Sequence, residues 1–418
     1  MTTDSARAVG VVGMRWPLII DGGKSVVFAA GNSSTYTSSR LAVLNLASGH
    51  IEVHQHLLAM PLGILDDQLV YIAPSGELLA LRFGDGRPDG DPLQLDEGLL
   101  VDPTAGAKAS LSRSGTLVFI RGRAQFLPVT RRSASDTAVA LIREPATYQS
   151  PRYSPDGSRV AVVVFRANAT DIWIYDVRRN TFTRLTTEGL NLRPEWTADG
   201  REVVFISSRN GKTGIWKQPA DGSGPATLLY QPEIEPFEAQ VSPDMKWLIF
   251  RTSPGATFSR DILSVPLEGE RKVVPLVTSP YSETQPRLSP DGKWLAYQSS
   301  ESGRFEIYVR PFPGSGARAQ VSDNGGTEPV WSRAGNALFY RTENSEMIRT
   351  AVTTGESFAI GERAVVFGDE YLTDATHANY DVGPGDQFLM LKRAGAQSQT
   401  IVVHNWAREL REKTTSRK

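Results

Sequence analysis

Three histidines and a glutamate lie within seven residues, in the stretch His-Ile-Glu-Val-His-Gln-His. Alternate side chains of a β-strand share one face. The residues that would share such a face here are His50, Glu52, His54 and His56. Imidazoles at this spacing can bind zinc, manganese or copper, and Glu52 could serve as a base or fourth ligand for hydrolysis or elimination. The alternative is an outermost strand that exposes its histidines to solvent.

A second candidate metal site is the acidic stretch that begins at Phe83, in which Asp85, Asp89 and Asp91 could bind calcium. The alternative is an acidic surface turn. The glycines of this stretch do not have the spacing of a dinucleotide-binding loop. The binding function that we expect for this chain requires neither metal site and no cofactor.

Composition excludes several classes of function. The 418 residues carry 45 Lys+Arg against 46 Asp+Glu, so no charge excess favours nucleic acid as a partner. The chain has no cysteine, which excludes thiolate catalysis and allows folding in either redox compartment. As it stands, the sequence predicts neither an export signal nor a segment that inserts into a membrane.

A five-residue pattern recurs along the chain, and we call it the corner. It reads Leu-Ser-Arg-Ser-Gly from Leu111, Tyr-Ser-Pro-Asp-Gly from Tyr153 and Leu-Ser-Pro-Asp-Gly from Leu288, with further copies that begin at Trp196, Val241, Trp331 and Val382. Proline and glycine at these positions predict a tight hairpin turn. The spacing of about 42 to 51 residues is that of a four-stranded propeller blade. The sequence therefore predicts an all-β propeller.

The repeats can be counted as blades in more than one way. Nine repeats of about 43 residues can be drawn, whereas propellers usually have about four to eight blades. One repeat could be malformed, or three could be half of a truncated propeller, so we expect six to nine. Residues 1–15 are a possible closing strand, 16–406 are repeats (divergent in 16–148, well formed in 149–406), and 407–418 are a polar tail with a short helix around Trp406 and Leu410.

The stretch from Ser289 to Arg341 resembles the TolB-like, WD40-like repeat ectodomains of bacterial membrane-bound serine/threonine protein kinases. Three other segments, which begin at Trp16, Asp171 and Tyr380, resemble them in the same order. In such kinases a catalytic domain and one membrane helix precede the propeller. The resemblance implies a sensor or scaffold part located outside the cytoplasm. No kinase motif occurs in this chain.

Binding without catalysis is the function that we expect. The chain lacks the Gly-X-Ser-X-Gly motif of the hydrolases that follow some propellers. A propeller instead offers a funnel at its axis, lined by the first strand of each blade. The residues that we expect at the mouth of this funnel are Arg152, Arg193, Glu195, Glu238, Gln285, Arg287, Glu328 and Tyr380. This polar set suits a protein, peptide or saccharide ligand, although its members could instead bond to one another. Trp196 and Trp331 are expected to anchor the core.

Overall fold

The structure is a computed structural model, and the chain divides into two compact units, residues 1–124 with 395–418 and residues 125–394. The described residues are 13–31, 40–73, 76–84, 87–102, 106–122, 126–131, 136–166, 169–209, 212–253, 260–314, 316–368, 371–374, 377–394 and 399–415. Among them, no helix is long and apolar enough to cross a membrane.

The described residues of the first unit form three larger sheets and a two-stranded pair. The first sheet is β1 (Gly13–Ile20), β2 (Ser25–Gly31), β3 (Arg40–Asn45) and β4 (Ile51–Leu58). The second is β5 (Met60–Leu65), β6 (Gln68–Ile72), β7 (Leu78–Gly84) and β8 (Arg87–Asp96), and the pair is β9 (Val101–Asp102) with β10 (Gly106–Ala107). The third consists of β11 (Ala109–Leu111), β12 (Leu117–Arg121) and the late strand Gln399–Val403. The only α-helix among the described residues, Trp406–Thr415, buries Trp406 and Leu410, which confirms the expected short helix.

In the second unit the described residues form six four-stranded sheets, A to F, in which the first two are joined by one parallel bridge. We number its strands onward from β13 (Phe126–Arg131) and β14 (Val139–Ala140). Sheet A is β15 (Thr147–Tyr153), β16 (Arg159–Arg166), β17 (Ala169–Asp176) and β18 (Thr181–Arg184). Sheet B is β19 (Leu190–Trp196), β20 (Glu202–Arg209), β21 (Lys212–Pro219) and β22 (Thr227–Tyr230). Sheet C is β23 (Pro236–Val241), β24 (Trp247–Thr252), β25 (Ile262–Pro266) and β26 (Val274–Val277). Sheet D is β27 (Glu283–Leu288), β28 (Trp294–Ser299), β29 (Glu306–Pro311) and β30 (Ala319–Gln320); sheet E is β31 (Thr327–Trp331), β32 (Ala337–Arg341), β33 (Glu346–Thr353) and β34 (Ala359–Gly368); sheet F combines β35 (Tyr380–Val382) and β36 (Phe388–Arg393) with β13 and β14.

The last sheet closes the ring of the second unit. Strand β13 pairs antiparallel with β36, from Phe126 opposite Arg393 to Arg131 opposite Phe388, and β35 packs against β15 of sheet A. One sheet thus contains strands from both ends of this unit, which closes the ring. We expected a closing strand from residues 1–15. Residues 1–12 lie outside the described part of the chain, and the described Gly13–Ile20 pairs with β2 instead.

The strands of this unit are apolar on both faces because each sheet packs between two others. One cluster joins Ala161 and Val163 of sheet A to Val203 and Phe205 of sheet B, and similar clusters join the pairs B–C, C–D, D–E and E–F. Every residue of β28 is buried. This packing explains the apolar runs after each corner and confirms the predicted propeller of four-stranded blades.

Each corner is the hairpin between the first and second strands of a sheet. In sheet A the amide of Gly157 donates to the carbonyl of Ser154 over 2.9 Å, and the Ser154 hydroxyl donates to Asp156 over 2.6 Å. Gly157 has a φ of +70°, the left-handed conformation that glycine adopts without strain. The corner thus fixes where each first strand ends.

Candidate functional site

The first strand of each sheet in the second unit faces the axis of the ring, and four of these strands contain the same backbone distortion. A residue with positive φ precedes a proline in each of them. These residues are Ser150 (φ 52°), Arg193 (φ 53°), Gln285 (φ 57°) and Glu328 (φ 58°). The strand register shifts at the same four places. A left-handed residue costs about 1–3 kcal/mol, and β-bulges of this kind redirect side chains.

The residues at this position in all six sheets form what we call the bulge ring. Its members are Ser150, Arg193, Glu238, Gln285, Glu328 and Asn379, and all are buried. Side chains of this ring accept backbone N–H groups of the next sheet. The carboxylate of Glu238 accepts from the amide of Gln285 over 3.0 Å, and the amide oxygen of Asn379 accepts from the amide of Ser150 over 2.9 Å. These bonds link neighbouring sheets around the axis.

A segment that precedes β35 covers the end of the axis at which the first strands begin. The amide of Asp374 donates to Glu328 over 2.8 Å, and its carbonyl accepts from the Gln285 side chain over 3.3 Å. From the same segment, His377 reaches sheet C, where its Nδ1 lies 3.0 Å from Glu238. The chain's own groups therefore occupy this end of the axis.

The tautomer of His377 follows from its two partners. Its Nε2 lies 3.1 Å from Nη2 of Arg152, and a guanidinium can only donate, so Nε2 accepts. Nδ1 must then carry the proton and donate to Glu238. Burial lowers the pKa of His377 to about 3, although the bond to Glu238 opposes that shift. The imidazole is consequently neutral at physiological pH.

Two positions further along each first strand lies a second ring, which we call the cavity ring. Its members are Arg152, Glu195, Gln240, Arg287, Val330 and Asp381. Glu195 is its central acceptor: one carboxylate oxygen accepts from Nε of Arg152 over 2.7 Å and also from Nη1 of Arg287. Burial disfavours the ionised carboxylate, but Arg152 and Arg287 outweigh burial and lower the pKa of Glu195. Glu195 is therefore ionised.

The two arginines of the cavity ring differ in how fully they are bonded. Arg152 also donates to the carbonyls of Pro151, Ala378 and Tyr380. For Arg287, by contrast, Nε and Nη2 are buried and have no hydrogen-bond partner among the described residues. Buried donors without a protein partner are rare, and either bound water or a ligand group can satisfy them.

A cavity of about 320 Å³ opens beside this ring, at the corner end of the first strands. All six members of the cavity ring line it. The remaining wall consists of residues in or next to the corners, namely Tyr153, Pro155, Trp196, Ala198, Val241, Pro243, Leu288, Ser289, Pro290, Trp331, Ser332 and Arg333. Four of the six members of the cavity ring, which form the floor, are therefore charged, and the wall combines aromatic, prolyl and aliphatic residues with two serines and Arg333.

The two tryptophans hold this wall to the neighbouring sheets. The indole N–H of Trp196 donates to the Arg152 carbonyl, and that of Trp331 donates to the Arg287 carbonyl, each over 3.0 Å. Trp331 belongs to the core cluster between sheets D and E, and Trp196 packs against the cluster between A and B. Their predicted role as core anchors is confirmed, and both also contact the cavity.

The eight residues expected at a funnel mouth lie on the axis, but three of them line the open cavity and five are buried away from it. Those that line the cavity are Arg152, Glu195 and Arg287. Arg193, Glu238, Gln285 and Glu328 belong to the buried bulge ring. Tyr380 is fully buried and donates its hydroxyl to the Glu328 carbonyl over 2.8 Å. The cavity opens at the corner end instead because Asp374 and His377 cover the end where the strands begin.

Sequence reasoning missed several residues of this axis. Each of three residues, Gln240, Val330 and Asp381, immediately precedes the first residue of a corner, just as Arg152 precedes Tyr153 in sheet A. The register of the repeats could therefore have identified them. Nothing in the sequence pointed to Arg251 or His377. Arg251 lies on the second strand of sheet C and donates to Glu238 over 2.7 Å.

Most of the histidine stretch lies on β4, the outermost strand of the first sheet as the alternative interpretation held, while His50 directly precedes that strand and His54 is only partly exposed. Glu52 forms an ion pair with Arg87 at 3.3 Å, His50 is exposed, and the side chain of His56 lies outside the described part. Burial lowers the pKa of His54. Across the described residues no three histidine, aspartate or glutamate side chains come together as a metal site. Asp85 lies outside the described residues, while Asp89 and Asp91 belong to β8.

Comparisons with known proteins agree with this architecture. Residues 131–274 match the TolB beta propeller domain family. A Tol-Pal system protein TolB from Anaeromyxobacter dehalogenans is 28% identical over 115 residues, which are 28% of this chain and 26% of that protein. An uncharacterized protein from Agrobacterium fabrum is 40% identical over 72 residues, 17% of this chain and 25% of that protein. The chain thus spans about a quarter of the length of these relatives.

A solved structure shows the same fold. The structure of a putative TolB from Agrobacterium tumefaciens superimposes with a TM-score of 0.51 at 15% sequence identity, and covers 65% of this chain and 99% of that one. The family match, the TolB relatives and the ring of four-stranded sheets agree with one another. The chain therefore contains a TolB-like β-propeller.

Proposed function

We propose that residues 125–394 form a non-catalytic binding module that takes part of a protein, a peptide or a saccharide into the cavity at the corner end of its axis. The observation that carries this proposal is the cavity itself. All six sheets contribute an equivalent residue to its lining, and its volume of about 320 Å³ suits a side chain with its flanking groups or a small sugar. A binding or scaffold role also agrees with the TolB-like fold.

The chemistry of the cavity favours binding over catalysis. A general acid or base works best with a pKa near the working pH. Glu195 is held ionised by Arg152 and Arg287, so it has no proton to donate and is a weak base. Asp381 is engaged by Arg333 at 3.1 Å and by the amide of Tyr153 at 2.8 Å. The carboxylates of this cavity therefore hold the arginines in place and take no part in proton transfer.

We also propose that the propeller works outside the cytoplasm, as a sensor or scaffold like the kinase ectodomains or the TolB proteins that it resembles. The lack of cysteine is compatible with such a location. Fractionation of source cells tests this: the native protein should be recovered with the cell envelope or the periplasm, and recovery in the cytosol alone would contradict it.

Blocking the cavity tests the binding site. Ala198 is exposed in the corner of sheet B and lines the cavity, so Ala198→Phe should fill it without disturbing the core. Ala317, exposed between β29 and β30 and outside the cavity lining, provides the matched control Ala317→Phe. Wild type and both variants are applied to peptide and glycan arrays. We expect Ala198→Phe to lose the ligands that wild type and the control retain, and equal binding by all three proteins would refute the site.

A further inference from the structure

We propose that the cavity binds a carboxylate, presented by an acidic side chain or a chain end of a protein segment. This inference rests on the proposed binding function and narrows its ligand to one chemical class. It follows from the charges of the cavity lining, from the bonding of Arg287, and from the groups that the wall does and does not offer.

The charges of the lining do not cancel. Its ionisable residues are Arg152, Glu195, Arg287, Arg333 and Asp381, which are three guanidiniums against two carboxylates. Asp381 is paired with Arg333, so the single carboxylate of Glu195 serves both Arg152 and Arg287. The guanidiniums that line the cavity thus exceed its carboxylates by one, and Arg287 shares its only direct ion pair among the described residues with Arg152, although Glu238 and Asp381 also favour its charged form. An anion from a ligand would balance the excess.

Arg287 is the arginine of the cavity ring whose guanidinium is least well paired by the described residues. It is only 9% exposed, and just one of its three nitrogens donates to the described residues, to the Glu195 oxygen that Arg152 also uses. Burial of donors without partners costs free energy, and a guanidinium is suited to carboxylates because its donors lie in one plane. A carboxylate in the cavity would therefore gain more from Arg287 than from Arg152, whose donors are already bonded.

The wall favours a peptide over a sugar as the carrier of this carboxylate. Trp196 and Trp331, with the corner prolines, offer flat apolar surface, which suits peptide side chains and lowers the local dielectric. A sugar needs partners for many hydroxyls, and the side chains of Gln240 and Ser289 are already engaged. The Gln240 amide donates to the Pro286 carbonyl and accepts from the Leu288 amide. The hydroxyl of Ser289 likewise donates to Asp291.

Matched small probes test the inference on the full-length protein. The first pair is the acetylated, amidated tripeptide Gly-Asp-Gly and its uncharged isostere Gly-Asn-Gly; the second is galacturonate and galactose. Binding is followed by tryptophan fluorescence, because Trp196 and Trp331 line the cavity, and by calorimetry. We expect the aspartyl peptide to bind about tenfold more tightly than the asparaginyl peptide, with a preference that shrinks as salt is added.

Two variants test whether the preference for the aspartyl peptide depends on Arg287. Arg287→Gln should abolish the preference for the aspartyl peptide, whereas Arg201→Gln should keep it, since Arg201 has the same charge at the corner of sheet B but does not line the cavity. Circular dichroism establishes whether Arg287→Gln folds, and the wild-type comparison of the two peptides decides the matter if it does not.

Several results would overturn the inference. Equal affinity for the two peptides would show that the carboxylate is not recognised, and binding of galacturonate but not of the aspartyl peptide would assign the site to an acidic sugar. The inference would also be overturned if neither the aspartyl peptide nor galacturonate binds at millimolar concentration. If neutral ligands bind in any of these cases and Ala198→Phe removes them, the proposed function stands while this inference falls.

Discussion

Glu195 and Arg287 form an ion pair across the axis of the propeller, although Arg287 lies two sheets further round the ring. The same carboxylate oxygen holds Arg152 of the neighbouring sheet. Three sheets thus meet at one carboxylate on the floor of the cavity. This arrangement connects the stability of the propeller to the shape of its proposed binding site.

Removal of that carboxylate should destabilise the second unit. Glu195→Gln leaves Arg152 and Arg287 buried and close together without their shared counter-charge, and loss of one partner of a buried ion pair costs about 3–5 kcal/mol. Urea unfolding at neutral pH measures the change. Glu202→Gln is the control, because Glu202 forms a half-exposed pair with Lys217 at 2.9 Å and should lose no more than about 1 kcal/mol. Equal losses in the two variants would contradict the central role of Glu195.

The corner of sheet C offers a stabilising substitution. Met245 stands where the corners of sheets A, B, D and E have glycine, has a φ of 62° and is 38% exposed. A left-handed conformation costs an L-residue about 1–2 kcal/mol, which exceeds the entropic cost of glycine in the unfolded chain of about 0.5–1 kcal/mol. Met245→Gly should therefore raise the melting temperature. Gly200→Ala at the equivalent corner of sheet B, where φ is +66°, should lower it. A lower melting temperature in Met245→Gly would show that the left-handed conformation of Met245 is not strained.

The buried His377 should make the protein less stable in mild acid. As the pH falls below about 6.5, the unfolded chain takes up a proton at this imidazole, whereas the folded protein resists protonation because burial lowers the pKa of His377 to about 3. The free energy of unfolding should then fall by up to about 1.4 kcal/mol per pH unit through this group.

His377→Gln should remove that part of the slope between about pH 6.5 and about pH 4.5. At lower pH a further loss should remain in the variant, because Arg251 helps to lower the pKa of Glu238 against the effect of burial, and stability is lost as that carboxylate takes up a proton. Urea unfolding across this range, with the exposed His50→Gln as control, measures both effects. An unchanged slope in His377→Gln would show that the imidazole is protonated in the folded protein.

Divalent metals should leave the melting temperature unchanged. Glu52 is paired with Arg87, and the described residues contain no cluster that could hold an ion. The protein is treated with EDTA and then supplied with zinc, manganese and calcium in turn. Binding at a hundred times the dissociation constant would add about 2.7 kcal/mol of stability. A metal-specific rise that disappears in His54→Ala would revive the hypothesis of a metal-dependent enzyme.

The repeat pattern predicted the propeller because the corner is a local structure. Its proline, aspartate and glycine specify a turn without help from distant residues, and the same turn recurs in sheet after sheet. The blade count was harder to predict, because the six repeats of the second unit and the three sheets of the first share the same signals. Even the positive φ before proline recurs in the first unit, at Trp16.

The site was predicted only in part because its geometry depends on contacts between distant residues. The residues before each corner could be placed on the axis from the register alone. Which end of the axis is open depends on His377, which bonds to Glu238 across 139 positions of sequence. No local pattern marks such a contact. The pairing of β13 with β36 that closes the ring is equally remote in sequence.

The absence of cysteine from the chain allows a direct test of the central claim, that the corner-end cavity is the binding site. Ala198→Cys and Ala317→Cys each introduce a unique thiol, to which a benzophenone maleimide is attached. After irradiation with an array-selected ligand, mass spectrometry should find the ligand crosslinked to position 198 and not to position 317. Undiminished binding with no crosslink at 198, or equal crosslinking at both positions, would contradict the account.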